Sequence, residues 1–233
     1  MSIPHLIHAP NLNFFEDDII GVVFPIYAFS PPQMVQDFLK KVNWKAEYSF
    51  AIATYGNSDQ FTLQQFQKEM ESNGKHFHYL KTLLMVENYL PSFAMEDEIK
   101  KIPKKHIEEN LEKILDDIDQ RVETAPKTIS FADKIRSFFS KRKVTYRLNR
   151  GQAKSFQVNS QCVKCLICEK VCPTANIQVK EHVEFGNNCE SCFACLHLCP
   201  HNAIHLKNEK SSKRWIHPEV KLGEIVAANN QIH

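Results

Sequence analysis

Glycine is scarce in this chain, with six in 233 residues, where average usage near 7% would give roughly sixteen. The first of them is Gly21, so no glycine-rich loop of the kind that cradles phosphate precedes it. An excess of one charge is also missing. The 29 basic and 27 acidic residues leave +2, which gives no electrostatic case for a nucleic-acid partner. Long apolar runs are absent too. The longest, Ile19 to Phe29, is interrupted by Pro25 and falls far short of the ~20 residues that cross a bilayer, so no membrane partner is expected. Met1 to Phe15 has no basic n-region, apolar h-region or small-residue cleavage site, which reads as no signal peptide and a cytoplasmic location. With 43% hydrophobic and 24% charged residues, wholesale disorder is excluded, and the length fits one large domain or two small ones.

What the chain does have is eight cysteines confined to residues 162–199. In a reducing compartment, clustered thiols favour metal ligation over disulfides. They form two runs, Cys162, Cys165, Cys168 and Cys172, then Cys189, Cys192, Cys195 and Cys199, each ending in a proline, Pro173 or Pro200. The second run repeats the first at an offset of 27 residues, which also maps Ile177 on Ile204 and points to an internal duplication. A zinc ribbon would show two separated C-x2-C knuckles, whereas here a third cysteine follows each pair at once. A disulfide framework would need an oxidising compartment.

The doubled C-x2-C-x2-C-x3-C-P pattern resembles the ligand runs of bacterial two-cluster iron–sulfur proteins, in which the fourth cysteine of each run serves the other cluster. Three thiolates at three-residue intervals can wrap one face of an iron–sulfur cube. A helical turn then carries the fourth away, and the proline after it fixes φ. The resemblance implies two [4Fe–4S] clusters. Cluster one would take Cys162, Cys165, Cys168 and Cys199, and cluster two Cys189, Cys192, Cys195 and Cys172. Leu166, Ile167, Val171, Ile177, Phe193, Ala194, Leu198 and Ile204 are expected to keep water from them. His182, His197, His201 and His205 read as surface or supporting groups, because eight thiolates leave no vacant ligand position. Ile177 to Phe185 reads as a short hairpin, with Gly186-Asn187-Asn188 as the turn beyond it.

The first half alternates apolar strands with amphipathic helices. Strands are expected at Ile19 to Pro25, Tyr48 to Thr54 and Tyr79 to Val86. Helices are expected at Gln33 to Lys41, Phe61 to Ser72 and from Pro103 onward, the last with a stripe of Ile107, Leu111, Ile114, Leu115, Ile118 and Val122. Such alternation means a parallel sheet covered on both faces, with ligands outside the carboxyl ends of the strands. Those ends carry Tyr27, Ala28 and Phe29, then Thr54, Tyr55, Gly56 and Asn57, then Asn88. Aromatic and short polar groups there suit a planar ring.

With VFPIYAFSPP, ATYGN and ENYLP ahead of the doubled cysteine runs, and the tail KSSKRWIHPEVKLGEI behind them, nearly the whole chain resembles the bacterial and archaeal flavodoxin–ferredoxin fusion proteins, the EFR-type ferredoxins. The resemblance implies an α/β, partial flavodoxin-like sheet followed by an α+β bacterial 2[4Fe–4S] ferredoxin domain. It also implies FMN, whose ring would lie against Tyr27, Ala28, Phe29, Thr54, Tyr55, Gly56, Asn57 and Asn88. The family's Ser/Thr-Gly-Thr-Gly-Asn-type phosphate loop has no counterpart here, so the ring contacts carry over and the phosphate site does not. In a flavodoxin-like order the strand at Ile19 would then be an edge, an aggregation liability. Either the chain begins late, or a second chain completes the sheet.

The expected organisation is a partial flavodoxin-like domain at 1–128, a linker at 129–154, a ferredoxin domain at 155–207 and a tail at 208–233. The linker carries eight basic residues from Lys134 to Lys154 and no acid among them. In the tail, Trp215 and Ile216 read as anchors and Val220 to Ala228 as a short helix. The function expected is one-electron transfer with redox partner proteins, an electron carrier rather than a substrate-specific oxidoreductase. The alternatives are an FMN-dependent oxidoreductase passing electrons from flavin to cluster, and a cluster-dependent binding or redox-sensing module.

Overall fold

The computed structural model describes residues 1–7, 13–124 and 153–229. Nearly all of the basic linker, 129–152, lies outside them. The chain divides into two compact units, and these do not follow chain order. One comprises the described residues of Asn11–Val86 and Lys101–Thr145; the other those of Met1–Pro10, Glu87–Lys100 and Tyr146–His233. The segment after the third expected strand and the expected tail thus both belong with the cysteines. No helix among the described residues is long and apolar enough to cross a membrane.

The first unit is built on parallel strands β1 (Phe14–Glu16), β2 (Ile19–Pro25), β3 (Asn43–Lys45), β4 (Tyr48–Tyr55) and β5 (Tyr79–Leu84). β2, β4 and β5 form a three-stranded sheet with β4 in the centre. Phe14 pairs with Asn43 and Ile19 with Tyr48, the same offset, so β1–β3 and β2–β4 are one ladder interrupted at Asp17 and Asp18. Parallel pairing needs crossovers. Here they are the helices Gln33–Lys41 and Thr62–Ser72, close to where the apolar spacing predicts them.

Side chains alternate between the two faces of a strand. On one face Phe24 meets Phe66 of the second crossover helix at 4.8 Å, and Phe66 stacks on Phe77 at 5.6 Å. On the other, Tyr48, Ile52, Tyr79 and Leu83 enclose Ile114 of the helix Ile107–Asp119, flanked by Leu111, Ile118 and Val122. Both faces are covered, as an α/β arrangement requires. That helix does not open at Pro103. Pro103 lies in a 3₁₀ turn, Ile102–Lys104, and His106, at φ +48°, intervenes before the helix begins. A further helix, Met95–Lys101, which belongs to the other unit up to Lys100, was not anticipated. Its Glu96, Asp97 and Glu98 complement the dipole at its first turn.

Among the described residues β2 is an edge strand, with Val23 61% exposed. Ile26 N–H donates to Thr54 O at 2.7 Å. Because N–H groups alternate in direction along a strand, Pro25 presents its nitrogen to the outer edge, where a missing donor costs no ladder bond. Gly21 leaves room for the ring of its partner Phe50, which would lie 2.0 Å from a Cβ placed there and would have to shift.

The second unit contains a strand–helix–strand motif twice. β6 (Phe156–Val158), the helix Ile167–Lys170 and β7 (Ile177–Val179) are followed by β8 (Val183–Phe185), the helix Ala194–His197 and β9 (Ile204–Leu206). All three elements recur at the 27-residue offset. β7 pairs antiparallel with β8 in the expected hairpin, and β6 with β9, so the second strand of each repeat pairs with the first strand of the other. Val171, Ile177, Phe193, Leu196, Leu198 and Ile204 are buried between them. The helix Leu222–Asn229 lies within the tail. Ile216 is no anchor, being 47% exposed.

Candidate metal centre

Six residues of the cysteine-bearing repeats, none a glycine, have left-handed backbones, and they form three pairs at the 27-residue offset. Lys164 and Ser191 have φ +57° and +59°, Leu166 and Phe193 +65° and +58°, and Ala175 and Asn202 +50° and +46°. This conformation is unfavourable for residues carrying a Cβ, and it persists only where the surroundings impose it. Leu166 and Phe193 each turn the chain directly into the short helix that carries the third cysteine. The fourth cysteines are held alike. Asn176 N–H donates to Cys172 Sγ at 3.2 Å, and Ala203 N–H to Cys199 Sγ at 3.3 Å. Ser191 N–H donates to Cys189 Sγ at 3.4 Å.

Cys162, Cys165 and Cys168 line one recess together with Cys199 from the other repeat. Including space open to solvent, the recess measures about 360 Å³, and Val179, Val183, Ala203 and Ile204 complete its wall. Cys172 is the electrostatic neighbour of Cys189, Cys192 and Cys195, which groups the other four thiols. Cys168 acts on Cys195 across the two quartets. The quartets differ in exposure: Cys165 is exposed, whereas Cys172 and Cys195 are buried. Burial is the main cause that pushes the Cys168 thiol up to about 11 and the Cys192 thiol up to about 12. It drives Cys195 well above the usual thiol value, with the neighbouring thiols adding to the effect.

Four thiolates can share such a pocket only when a cationic centre compensates their charge. The donors are all sulfur and soft, which suits zinc, copper(I) or iron–sulfur clusters. Among the described residues no group of three or more His, Cys, Asp or Glu is set to hold a single metal ion. The residues present fit a thiolate-bound metal group: Cys162, Cys165, Cys168 and Cys199 line one recess, and Cys172 neighbours Cys189, Cys192 and Cys195. Of the expected apolar cover, Val171, Ile177, Phe193, Leu198 and Ile204 are buried, while Leu166 is 40% exposed.

His197 is buried and tied at both ring nitrogens. Nδ1 accepts from Trp215 N–H at 3.3 Å, so Nε2 carries the proton that it donates to Asn88 O at 3.1 Å. Burial holds the imidazole below the usual histidine range. His182 and His201 are exposed. His205 Nδ1 donates to Glu209 Oε1 at 2.9 Å. The spacing of His197 between two cysteines gives no signal of this clamp, because its partners are backbone groups 109 and 18 residues away.

The residues expected around a flavin ring divide between the units. Tyr27, Ala28 and Phe29 form a tight turn after β2, with Ala28 and Phe29 at φ +50° and +64° and mutual bonds between Tyr27 and Ser30. Thr54 and Tyr55 end the adjacent strand β4, and Gly56 and Asn57 follow. Parallel pairing brings these two loops to one end of the sheet. The buried Lys105, which sequence patterns did not single out, donates there to Gly56 O at 2.7 Å and to Met85 O at 2.6 Å. Asn88 belongs to the cysteine-bearing unit instead, where its carbonyl receives His197. Comparisons with protein-family models, curated proteins and solved structures find no match to this chain.

Proposed function

We propose that this chain is an iron–sulfur electron-transfer protein whose duplicated cysteine unit is a ferredoxin-like domain holding two [4Fe–4S] clusters. The observation that carries the reading is the recess in which Cys162, Cys165 and Cys168 of one repeat meet Cys199 of the other. When bound, each cluster is a one-electron store. The protein's part is to hold it and set its surroundings. The Asn176 and Ala203 amides donate to the sulfurs of Cys172 and Cys199, which stabilises negative charge there. Ile177 and Ile204 keep water from the interior, and exposed Cys165 leaves the first quartet open to a redox partner protein. The proposed setting is cytoplasmic, where a reducing poise keeps the thiols available.

Iron analysis with electron paramagnetic resonance on anaerobically purified protein tests this. About eight irons per chain are expected. Cys165→Ser and Cys199→Ser should perturb one and the same cluster, although they lie in different repeats, and Cys172→Ser the other. Zinc in place of iron, or Cys165→Ser with full iron content, would overturn the reading.

A second reading rests on the Tyr27–Phe29 and Thr54–Asn57 loops meeting at one end of the sheet. They offer backbone and aromatic surface to the ring of FMN, making the chain a flavin-to-cluster oxidoreductase. Flavin released on denaturing the anaerobic protein would favour it, and none would leave the carrier alone.

A further inference from the structure

Ser191 sits between Cys189 and Cys192, only 8% exposed, and its hydroxyl is sealed from water without a well-formed hydrogen bond. A hydroxyl carries a proton to donate, and a buried polar group normally has a partner. Sulfur stands beside it: Ser191 N–H donates to Cys189 Sγ at 3.4 Å, in the loop between Cys189 and Cys192. The equivalent residue of the first repeat is Lys164, exposed and with the same left-handed backbone. Backbone geometry therefore does not demand serine. At matching positions the chain puts a solvated cation beside one quartet and a buried donor beside the other.

We infer that Ser191 Oγ–H is a donor held for the cluster that Cys172, Cys189, Cys192 and Cys195 would bind, and that it makes that cluster easier to reduce than its buried ligands alone would leave it. The inference rests on the iron–sulfur reading above. Reduction adds a negative charge, which the buried surroundings of Cys172 and Cys195 disfavour and a donor aimed at sulfur favours. Ser191 is a positioning and tuning residue; it bears no electron itself.

The test is a redox titration followed by electron paramagnetic resonance on the full chain, comparing Ser191→Ala, Ser191→Gly and Lys164→Ala. Glycine relieves the left-handed backbone and alanine keeps it, and both remove the hydroxyl. The expected result is that one of two midpoints falls equally in Ser191→Ala and Ser191→Gly and the other does not move, while Lys164→Ala leaves the affected midpoint in place. Unchanged midpoints, or a shift in alanine alone, would overturn the inference while full iron content upholds the two-cluster reading. Should a Ser191 variant lose its second cluster, the unaltered protein decides. A rapidly exchanging proton coupled to the second cluster, seen on transfer from H2O to D2O, is required, and its absence sinks the idea. Iron missing from the unaltered protein would instead defeat the parent reading.

Discussion

A Cβ placed on Gly186 would stand 2.7 Å from Asn176 Oδ1, the atom that already accepts the Asn188 N–H at 2.6 Å. Asn176 accepts the Gly186 N–H at its carbonyl and donates its own N–H to Cys172 Sγ. One buried residue, through its backbone and its side chain, thus fastens the end of the hairpin, the loop into the second cysteine run and a candidate ligand. Gly186→Ala must push this amide aside, and overpacking of that kind costs about 1–3 kcal/mol. Gly223 is the control, since a Cβ there meets nothing within 4 Å and alanine in its helix should stabilise by about 0.5–1 kcal/mol. Thermal melts followed by circular dichroism should move in opposite directions for the two variants. A Gly186→Ala melt no lower than that of the parent would show that Asn176 is not locked.

Arg214 and Glu209 join the residues after β9 to that strand. Their side chains are 7% and 12% exposed, and Arg214 Nη2 reaches both carboxylate oxygens, at 3.1 and 3.2 Å, as well as Ile204 O. Burial is the largest single influence on Glu209 and raises its carboxyl. Bonds from His205, the Leu206 amide and Arg214 together outweigh it and hold the group below its ordinary 4.5. A depressed carboxyl contributes stability that is complete above pH 4.5 and lost as pH falls through the lower folded value. Denaturant titrations should therefore show the parent losing more stability than Glu209→Gln over that acid window. At neutral pH, Arg214→Met should cost about 1.5–3 kcal/mol through lost charge-assisted bonds. Parallel acid profiles for parent and Glu209→Gln would contradict this.

Much of the sheet unit was legible because its elements are long and strongly periodic. The helix Gln33–Lys41 was bounded to the residue by its apolar spacing and the prolines before it. β6 was not foreseen, since three residues carry no periodicity, and what makes them a strand is pairing with β9 across the repeat. Helix Met95–Lys101 escaped because its sequence reads as a charged surface rather than an apolar stripe. At the candidate centre, spacing identified the thiols and their duplication. It gave no hint that Leu166, Phe193 and Ser191 would be left-handed, because nothing intrinsic to leucine, phenylalanine or serine favours that conformation. Asn88 could not be assigned to a unit from a strand-end pattern, because its bond to His197 joins residues 109 apart.

Tyr79 lies under the helix Ile107–Asp119 and donates its phenolic hydrogen to Asp117 Oδ2 at 2.7 Å. Burial is the main cause that raises its phenol above 10, followed by this bond and by the charge of Asp117. Because the folded value is raised, the neutral phenol contributes stability that is fully present below the unfolded value of 10 and is lost as pH climbs toward the folded one. Tyr79→Phe removes the bond and the titration together. At neutral pH the variant should be about 1 kcal/mol less stable, since half-exposed Asp117 can turn to water. Above about pH 10 the parent alone pays to keep this phenol protonated, so the two stabilities should converge. Urea denaturation of both proteins between about pH 8 and about pH 11 measures the gap directly, and a gap that stays constant or widens would mean that the Tyr79 hydroxyl is not held neutral by Asp117 in the folded sheet.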